Sequence, residues 1–181
     1  MKPTLRRDLE QLGHAALAEA AAHPGLWFDR YLPRQLERNE KPPQEGAPTA
    51  QHVGGVAGVK APPLYNACYG RWQATLAELG AQTHVLKVAY RLAAGHGGKN
   101  ASESGLTLHH SYGVPVIPGS SLKGVAAAYA AQRLSDLWGP GSDAYRTLFG
   151  TTSDAGYVTF LDALPLPGTW QLLPDVLTVH H

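Results

Sequence analysis

The stretch GVPVIPGSSLKGVAAAYA, residues 113–130, runs from an extended, proline-punctuated segment through a tight turn into an alanine-rich helix. Pro118 and Gly119 favour a sharp turn, and a serine after them, Ser120 or Ser121, is a good N-cap for the helix. The remaining N–H groups and the helix dipole favour an anion here. The same dipole disfavours Lys123 in the first turn, so the lysine points to a partner with negative charge, of which phosphate is the simplest. A turn that only caps its own helix, with a solvated Lys123, explains the stretch equally well.

Comparison with known phosphate-binding and catalytic motifs reduces the possible roles of this turn. The P-loop pattern G-x-x-x-x-G-K-[ST] fits neither Gly119 to Lys123 nor the Gly98-Lys99 pair. The nucleophile elbow G-x-S-x-G fails because Lys123 stands where its last glycine is needed. Ser120 and Lys123 match the S-x-x-K of penicillin-recognising enzymes, but the K-T-G and S-D-N motifs that accompany it are absent from the chain. A helix cap and an anion site remain.

Charge is distributed unevenly along the 181 residues, although the net charge is only +1. Residues 61–134 hold six Lys/Arg against two Asp/Glu, whereas residues 135–181 hold one against five. An anionic partner is therefore expected to meet the middle third of the chain. In that third, the glycine-rich loop GHGGKN, residues 95–100, could follow a nucleic-acid backbone without reading bases. It could equally be a plain connection.

The sequence offers little for metal or redox chemistry. A single cysteine, Cys68, excludes an internal disulfide and a multi-cysteine metal site. The pairs His109-His110 and His180-His181 are adjacent in sequence, so on a strand their side chains face opposite ways. We therefore expect no metal and no cofactor. The N-terminus lacks the apolar core of a signal peptide and no apolar run approaches the length of a membrane span, which predicts a cytoplasmic protein without membrane contact.

Hydrophobic periodicity predicts a helical appendage over residues 1–82. Residues 5–22 and 65–79 carry apolar side chains at helical spacing. Residues 39–63 between them are rich in proline and glycine and poor in apolar bulk, which is typical of a flexible segment.

Beyond residue 82 the pattern changes and predicts an α+β domain over residues 83–181. Apolar and polar residues alternate in THVLKVAYRLA, residues 83–93, and a second strand is predicted within GYVTFLDALPL, residues 156–166. A helix is predicted over residues 120–134. Strand, helix and strand together predict helices on one face of an antiparallel sheet. Four apolar residues of the helix are expected to face the core: Leu122, Val125, Ala126 and Tyr129.

Two segments of this domain resemble the RAMP superfamily of CRISPR effector subunits. The first, SGLTLHHSYGVPVIPGSSLKGVAAAYA, looks like the place where a Pro-Gly-Ser-Ser-[Leu/Ile]-Lys-Gly turn opens the first helix of a ferredoxin-like, RRM-like domain. The second, LFGTTSDAGYVTFLDA, looks like a Leu-Phe-Gly turn followed by a glycine-led strand that ends in Asp-Ala. We call these segments, residues 104–130 and 148–163, the PGSS landmark and the LFG landmark.

The resemblance covers roughly residues 83–181. The order of its segments is most similar to the smaller RAMP subunit of the type III-B (Cmr) complexes, which lies near the end of the backbone distal to the 5′ tag of the CRISPR RNA. It implies a non-catalytic subunit in antiviral defence that grips the backbone of CRISPR RNA, or its duplex with target RNA, and packs against neighbouring RAMP subunits. The family usually continues into a second RRM-like half. This sequence ends at His181, and we expect it to lack that half. A partner chain is then expected to cover the open sheet edge.

The resemblance also implies which residues meet RNA. The residues of the turn and of the glycine-rich loop are the main candidates, and Arg91 and Lys87, on the strand predicted over residues 83–93, are weaker candidates. Asp154 and Asp162 are expected to be structural, and no residue is expected to be catalytic. A metal-independent RAMP endoribonuclease with a histidine acid/base is the alternative, and a structural subunit that never touches RNA is a third. The RNA-binding candidates are Gly119, Ser120, Ser121, Lys123, Gly97, Gly98, Lys99, Asn100 and Arg91.

Overall fold

The computed structural model describes residues 23–30, 41, 48–96, 105–134 and 136–175. The chain divides into two compact units, which we call the first unit (Met1–Pro115 with Pro165–His181) and the second unit (Val116–Leu164). The predicted domain boundary at residue 82 stays a prediction. The helices within the described ranges are α1 (Pro24–Arg30), α2 (Pro48–Ala57), α3 (Leu64–Glu78), α4 (Gly119–Arg133), a short 3-10 helix (Asp136–Trp138) and α5 (Asp143–Phe149).

Helices α1 and α2 build the core of the first unit. Pro24 begins α1, where its missing N–H leaves no hydrogen bond unmade. Trp27 and Phe28 of α1 are buried together with Val56 and Val59. Helix α2 lies inside the segment 39–63 that the sequence predicts to be flexible. Its apolar residues are few, but they meet the large rings of α1, and this tertiary contact supplies the burial that α2 lacks by itself.

Helix α3 is anchored by Tyr65, whose side chain is fully buried. The Tyr65 hydroxyl donates a hydrogen bond of 2.6 Å to the carbonyl oxygen of Pro165, the residue at which the chain returns to the first unit. The helix ends at Glu78 with Leu79 as its C-cap, and Gly80 follows with a φ of +65° that few residues other than glycine adopt. The predicted helix over residues 65–79 is therefore confirmed.

The second unit is formed by α4, α5 and the segment that follows them. The Ser142 hydroxyl oxygen caps α5 by accepting a hydrogen bond from the N–H of Tyr145 at 3.1 Å. Phe149 at the other end is buried, and its ring lies 6.0 Å from that of Phe160. Gly150 ends the helix with a φ of +75°. The Leu-Phe-Gly turn is thus the C-terminus of α5.

The predicted helix over residues 120–134 is also confirmed as α4. The prediction of which residues of this helix face the core is confirmed only in part. Leu122 and Ala126 are half-buried, as expected. Val125 is 71% exposed and Tyr129 is 60% exposed, so the expectation that they face the core is wrong. These two residues lie four apart and share one face of the helix.

The predicted ferredoxin-like (RRM-like) sheet is wrong, since the described residues contain no strand. Their only pairings are isolated antiparallel bridges, Leu108 with Pro115, Ile117 with Ala163 and Gly150 with Ala155. Residues 83–93 are irregular and exposed throughout. Alternating residues become a strand only when a neighbouring strand supplies hydrogen-bond partners and a core covers one face. Residues 83–93 have neither.

Candidate functional site

The turn at the start of α4 lies beside the end of the LFG landmark. Ile117 and Ala163 exchange two backbone hydrogen bonds, of 3.1 and 2.9 Å. Next along the chain, the carbonyl oxygen of Pro118 accepts hydrogen bonds from the N–H groups of Ser121 and Leu122. The two landmarks recognised in the sequence therefore meet within the second unit.

A carboxylate caps α4, and this corrects the prediction of a serine N-cap. Pro118 is the N-cap residue and no side-chain oxygen of the turn makes a capping bond. Instead the N–H of Gly119 donates a hydrogen bond of 2.7 Å to Oδ1 of Asp162, a residue 43 positions away. The helix dipole favours a negative charge at this end, so Asp162 is well placed to stabilise α4. Its position gives Asp162 the structural role that the sequence predicts.

Gly119 is needed at this point because the two backbones touch. A Cβ atom there would collide with the carbonyl oxygen of Phe160 and lie 3.1 Å from the carbonyl carbon of Leu161. These are backbone atoms, which cannot move aside as a flexible side chain can. The glycine therefore permits both the close approach and the hydrogen bond to Asp162.

The outer surface of the turn keeps several donors. Ser120 and Ser121 are exposed and Lys123 is half-buried. The N–H of Ser120 has no acceptor, and Lys123 no ion-pair partner, within the described parts of the chain. Two hydroxyls, one N–H and one ammonium group are thus available to an anion, while the Asp162 carboxylate opposes a second negative charge nearby.

The net charge of the second unit means that an anion would be attracted only at the turn itself. Residues 116–164 carry three Lys/Arg against four Asp/Glu, so the unit as a whole does not attract anions. The surplus predicted for the middle third is divided equally between the units, since residues 61–115 carry four Lys/Arg against two Asp/Glu and residues 116–134 carry two against none. An anion bound at the turn would depend on Lys123 and on directed hydrogen bonds.

The other predicted RNA-binding residues are not part of this turn. Arg91 belongs to the first unit and pairs with Asp175, Nη1 to Oδ2, at 2.8 Å. Lys87 is exposed. Residues 97–100, which hold the candidates Gly97, Gly98, Lys99 and Asn100, lie outside the described residues.

Several histidines of the first unit are held by hydrogen bonds to other residues of the same unit. Nε2 of His23 lies 3.0 Å from the carbonyl oxygen of His109. Nδ1 of His109 accepts a hydrogen bond from the N–H of Ser111, and Nδ1 of His110 lies 3.1 Å from the Ser111 hydroxyl. The described residues contain no group of three or more side chains suited to hold a metal ion. Among the same residues, no helix is long and apolar enough to cross a bilayer.

The sequence interpretation missed an aromatic group in the first unit. The rings of Tyr69 and Tyr112 lie 6.2 and 6.0 Å from that of buried Tyr65, and the His109 ring lies 4.9 Å from Tyr112. Burial, followed by the neighbouring Tyr69 and Cys68, raises the pKa of Tyr65. The pKa of Tyr112 is also raised, chiefly by a hydrogen bond with the Cys68 side chain. Tyr65 and Tyr69 are four apart on a helix, which signals a shared face, but nothing local points to Tyr112.

Comparison with known proteins identifies the class of this protein. The family model of the RAMP superfamily matches residues 52–178, which is more than half of the chain. The chain therefore belongs to the RAMP superfamily, and the predicted membership is confirmed.

Two curated relatives indicate which kind of subunit within the superfamily the chain resembles. The CRISPR system Cmr subunit Cmr6 of Pyrococcus furiosus is 36% identical over 87 residues, which are 48% of this chain and 26% of the relative. The Cmr6 subunit of Saccharolobus solfataricus is 33% identical over 85 residues, 46% of this chain and 28% of the relative. The matched part thus spans only about a quarter of each relative. No solved structure matches the chain.

Proposed function

We propose that this chain is a non-catalytic, cytoplasmic subunit of a type III-B (Cmr) CRISPR effector complex in antiviral defence, and that it binds the backbone of CRISPR RNA. Its superfamily and its similarity to two Cmr6 subunits support a role in such a complex. The observation that carries the RNA contact is the outer surface of the α4 turn, where Ser120 and Ser121 are exposed, Lys123 is half-buried and no side chain of the turn caps the helix.

The contact is proposed to engage one RNA phosphate. The N–H of Ser120 and the two serine hydroxyls donate hydrogen bonds to phosphate oxygens, and the ammonium group of Lys123 supplies the compensating charge. Asp162 already uses the N–H of Gly119, so this N–H contributes to holding the turn. Such a contact reads no base, which suits a subunit that must accept any guide sequence.

The proposal includes packing against neighbouring RAMP subunits. Val125 and Tyr129 present a largely exposed apolar pair on one face of α4. Apolar side chains grouped on a helix surface are typical of a protein contact. Contact with target RNA is proposed only through the duplex that the target forms with the CRISPR RNA.

The contact at the turn is tested by replacing Lys123 in the full chain. Lys123→Ala is expected to weaken binding of a fluorescein-labelled CRISPR RNA by a similar factor for different guide sequences. The slope of log K against log salt concentration should fall by about 1, because one phosphate contact is lost. Lys60→Ala is the matched control, since Lys60 is an exposed lysine outside the turn. Equal effects of both variants, or none from Lys123→Ala, would contradict the role.

The absence of catalysis needs its own test. The purified chain is incubated with CRISPR repeat RNA without divalent metal, and the RNA is expected to stay intact on a denaturing gel. Specific cleavage that a single His→Ala substitution abolishes would establish the alternative, a metal-independent endoribonuclease.

A further inference from the structure

A second surface of the chain has the composition of a nucleic-acid contact and belongs to the first unit. It consists of the half-exposed rings of Tyr69 and Tyr112 and the exposed side chain of Arg71, and we call it the tyrosine patch. Tyr69 and Arg71 lie on α3, and Tyr112 lies in the turn that precedes the bridge at Pro115. None of these residues is part of the α4 turn.

The two rings of the tyrosine patch are held by a buried third ring. Tyr65 is fully buried and its hydroxyl is bonded to the carbonyl oxygen of Pro165. The rings of Tyr69 and Tyr112 each meet Tyr65 at an interplanar angle of 55°. His109 flanks Tyr112 on another side. A ring fixed in this way loses little conformational entropy when a ligand stacks on it.

The patch also carries positive charge. Arg71 acts to lower the pKa of the Tyr112 hydroxyl, against the larger rise caused by Cys68 and burial, so its guanidinium lies near this ring. The surrounding segment, residues 61–115, has four Lys/Arg against two Asp/Glu. An aromatic face beside a guanidinium group, as at Tyr112, matches an unpaired base and its phosphate.

We propose that the tyrosine patch binds single-stranded RNA, with a base stacked on Tyr112 or Tyr69 and the adjacent phosphate held by Arg71. This inference rests on the proposed function, because it assumes that the chain meets RNA. It adds a second contact of a different kind. Stacking is tolerant of sequence, since every base has a π face, and so it is compatible with any guide.

Binding of a fluorescein-labelled single-stranded oligouridylate to the full chain tests the patch. Tyr112→Leu and Tyr69→Leu are each expected to weaken binding by about tenfold, the usual loss for one stacked base. The salt dependence should stay the same, because no charge is removed. Arg71→Gln should lower the salt slope by about 1. Tyr90→Leu is the matched control, since Tyr90 is 89% exposed in the same unit and outside the patch.

Two further measurements separate stacking from damage to the fold. Tyr112→Phe keeps the ring and is expected to keep the affinity of the unchanged chain. Ultraviolet crosslinking of the unchanged chain to 4-thiouridine-substituted RNA needs no variant, and the crosslinked peptides are expected to come from residues 64–78 or 105–115. Crosslinks confined to other peptides would overturn the proposal.

The outcomes distinguish this inference from the proposed function. If the unchanged chain binds no RNA, both fail. If binding depends on Lys123 but Tyr112→Leu and Tyr69→Leu bind as the unchanged chain does, only the tyrosine patch is refuted. If these two variants lose association with other subunits while their RNA affinity is unchanged, the patch is a protein surface and the inference is wrong.

Discussion

In the first unit, Trp27 and Phe28 bury their side chains with Val56 and Val59, whereas the second unit is centred on the place where Gly119 touches the backbone of Phe160. The first contact is made by buried side chains of α1, of α2 and of Val59, which follows α2. The second is made by a residue without a side chain, supported by one hydrogen bond to the Asp162 carboxylate. The two units therefore depend on their sequences in different ways.

Side-chain packing tolerates exchange, while a backbone contact does not. A buried core accepts apolar residues of similar volume at modest cost, so many sequences can build one. A point where two backbones touch accepts glycine alone. This fits the second unit, which contains the whole LFG landmark and the turn and helix of the PGSS landmark, each with a glycine at a fixed place. The core formed by Trp27, Phe28, Val56 and Val59 in the first unit belongs to neither landmark.

Removal of the largest core side chain should produce the largest effect. Trp27 is 1% exposed, so Trp27→Ala leaves a large cavity and is expected to cost about 4 kcal/mol of unfolding free energy. Urea unfolding followed by circular dichroism measures the loss. Leu26→Ala is the control, since Leu26 is 49% exposed on the same helix, and it should cost less than about 1 kcal/mol. Similar losses for both variants would mean that α1 does not form the core.

The second unit should be destabilised by a single added methyl group. Gly119→Ala places its Cβ against the carbonyl oxygen of Phe160, so α4 must shift and lose its bond to Asp162. We expect a cost of about 3 kcal/mol in the same urea experiment. Gly124→Ala is the matched control on the same helix, since a Cβ there meets nothing within 4 Å.

The control should change stability in the opposite direction. Alanine is the better helix former, so Gly124→Ala is expected to stabilise α4 by up to about 1 kcal/mol. If Gly119→Ala behaved in the same way, the backbone contact would not hold the second unit, and the contrast between the units would be lost.

Features that depend on neighbouring residues could be predicted from the sequence, whereas features that depend on contacts between distant residues could not. Helices α3 and α4 lie within one residue of their predicted bounds. The spacing of their apolar residues and the glycine and proline residues at their ends can be recognised within a short segment of sequence. The strand over residues 83–93 was predicted from equally local alternation. A strand also needs a partner elsewhere in the chain, and a single sequence does not show whether that partner pairs.

The residues of the candidate site show the same difference between local and distant contacts. Lys123 and the exposed serines of the turn were found from the turn itself. The bond from Gly119 to Asp162 spans 43 positions, and Tyr112 comes to Tyr65 from 47 positions further along the chain, so neither contact leaves a local signal. The resemblance to the RAMP superfamily supplied the two landmarks but not the contacts between them.

A smaller effect is expected from the anchor of α3. Tyr65→Phe removes the hydrogen bond to the carbonyl oxygen of Pro165 and should cost about 1 kcal/mol at neutral pH. Tyr90→Phe is the control, because Tyr90 is exposed and should be neutral. An equal loss from both variants would show that the buried bond contributes nothing.

The same variant should alter the pH dependence of stability. Burial raises the pKa of Tyr65 in the folded chain above its ordinary value of 10.0, so the folded state keeps this proton at pH values where the unfolded chain releases it. The contribution of Tyr65 to stability is therefore complete below pH 10 and declines as the pH rises towards the raised pKa. Urea unfolding across alkaline pH should show a shallower decline for Tyr65→Phe than for the unchanged chain or Tyr90→Phe. Identical slopes would contradict burial of the Tyr65 hydroxyl.

The smallest effects should come from two exposed ion pairs among the described residues, one taken from each unit. Arg91 and Asp175 join distant positions of the first unit at 2.8 Å, but their side chains are 60% and 56% exposed. In the second unit, Arg146 and Asp143 pair at 3.0 Å within α5. Water and salt screen such pairs, so Arg91→Gln and Arg146→Gln should each cost less than about 0.5 kcal/mol, and less still in high salt. A cost above that of Tyr65→Phe for Arg91→Gln alone would show that the returning segment of the first unit is held by charge rather than by the buried tyrosine.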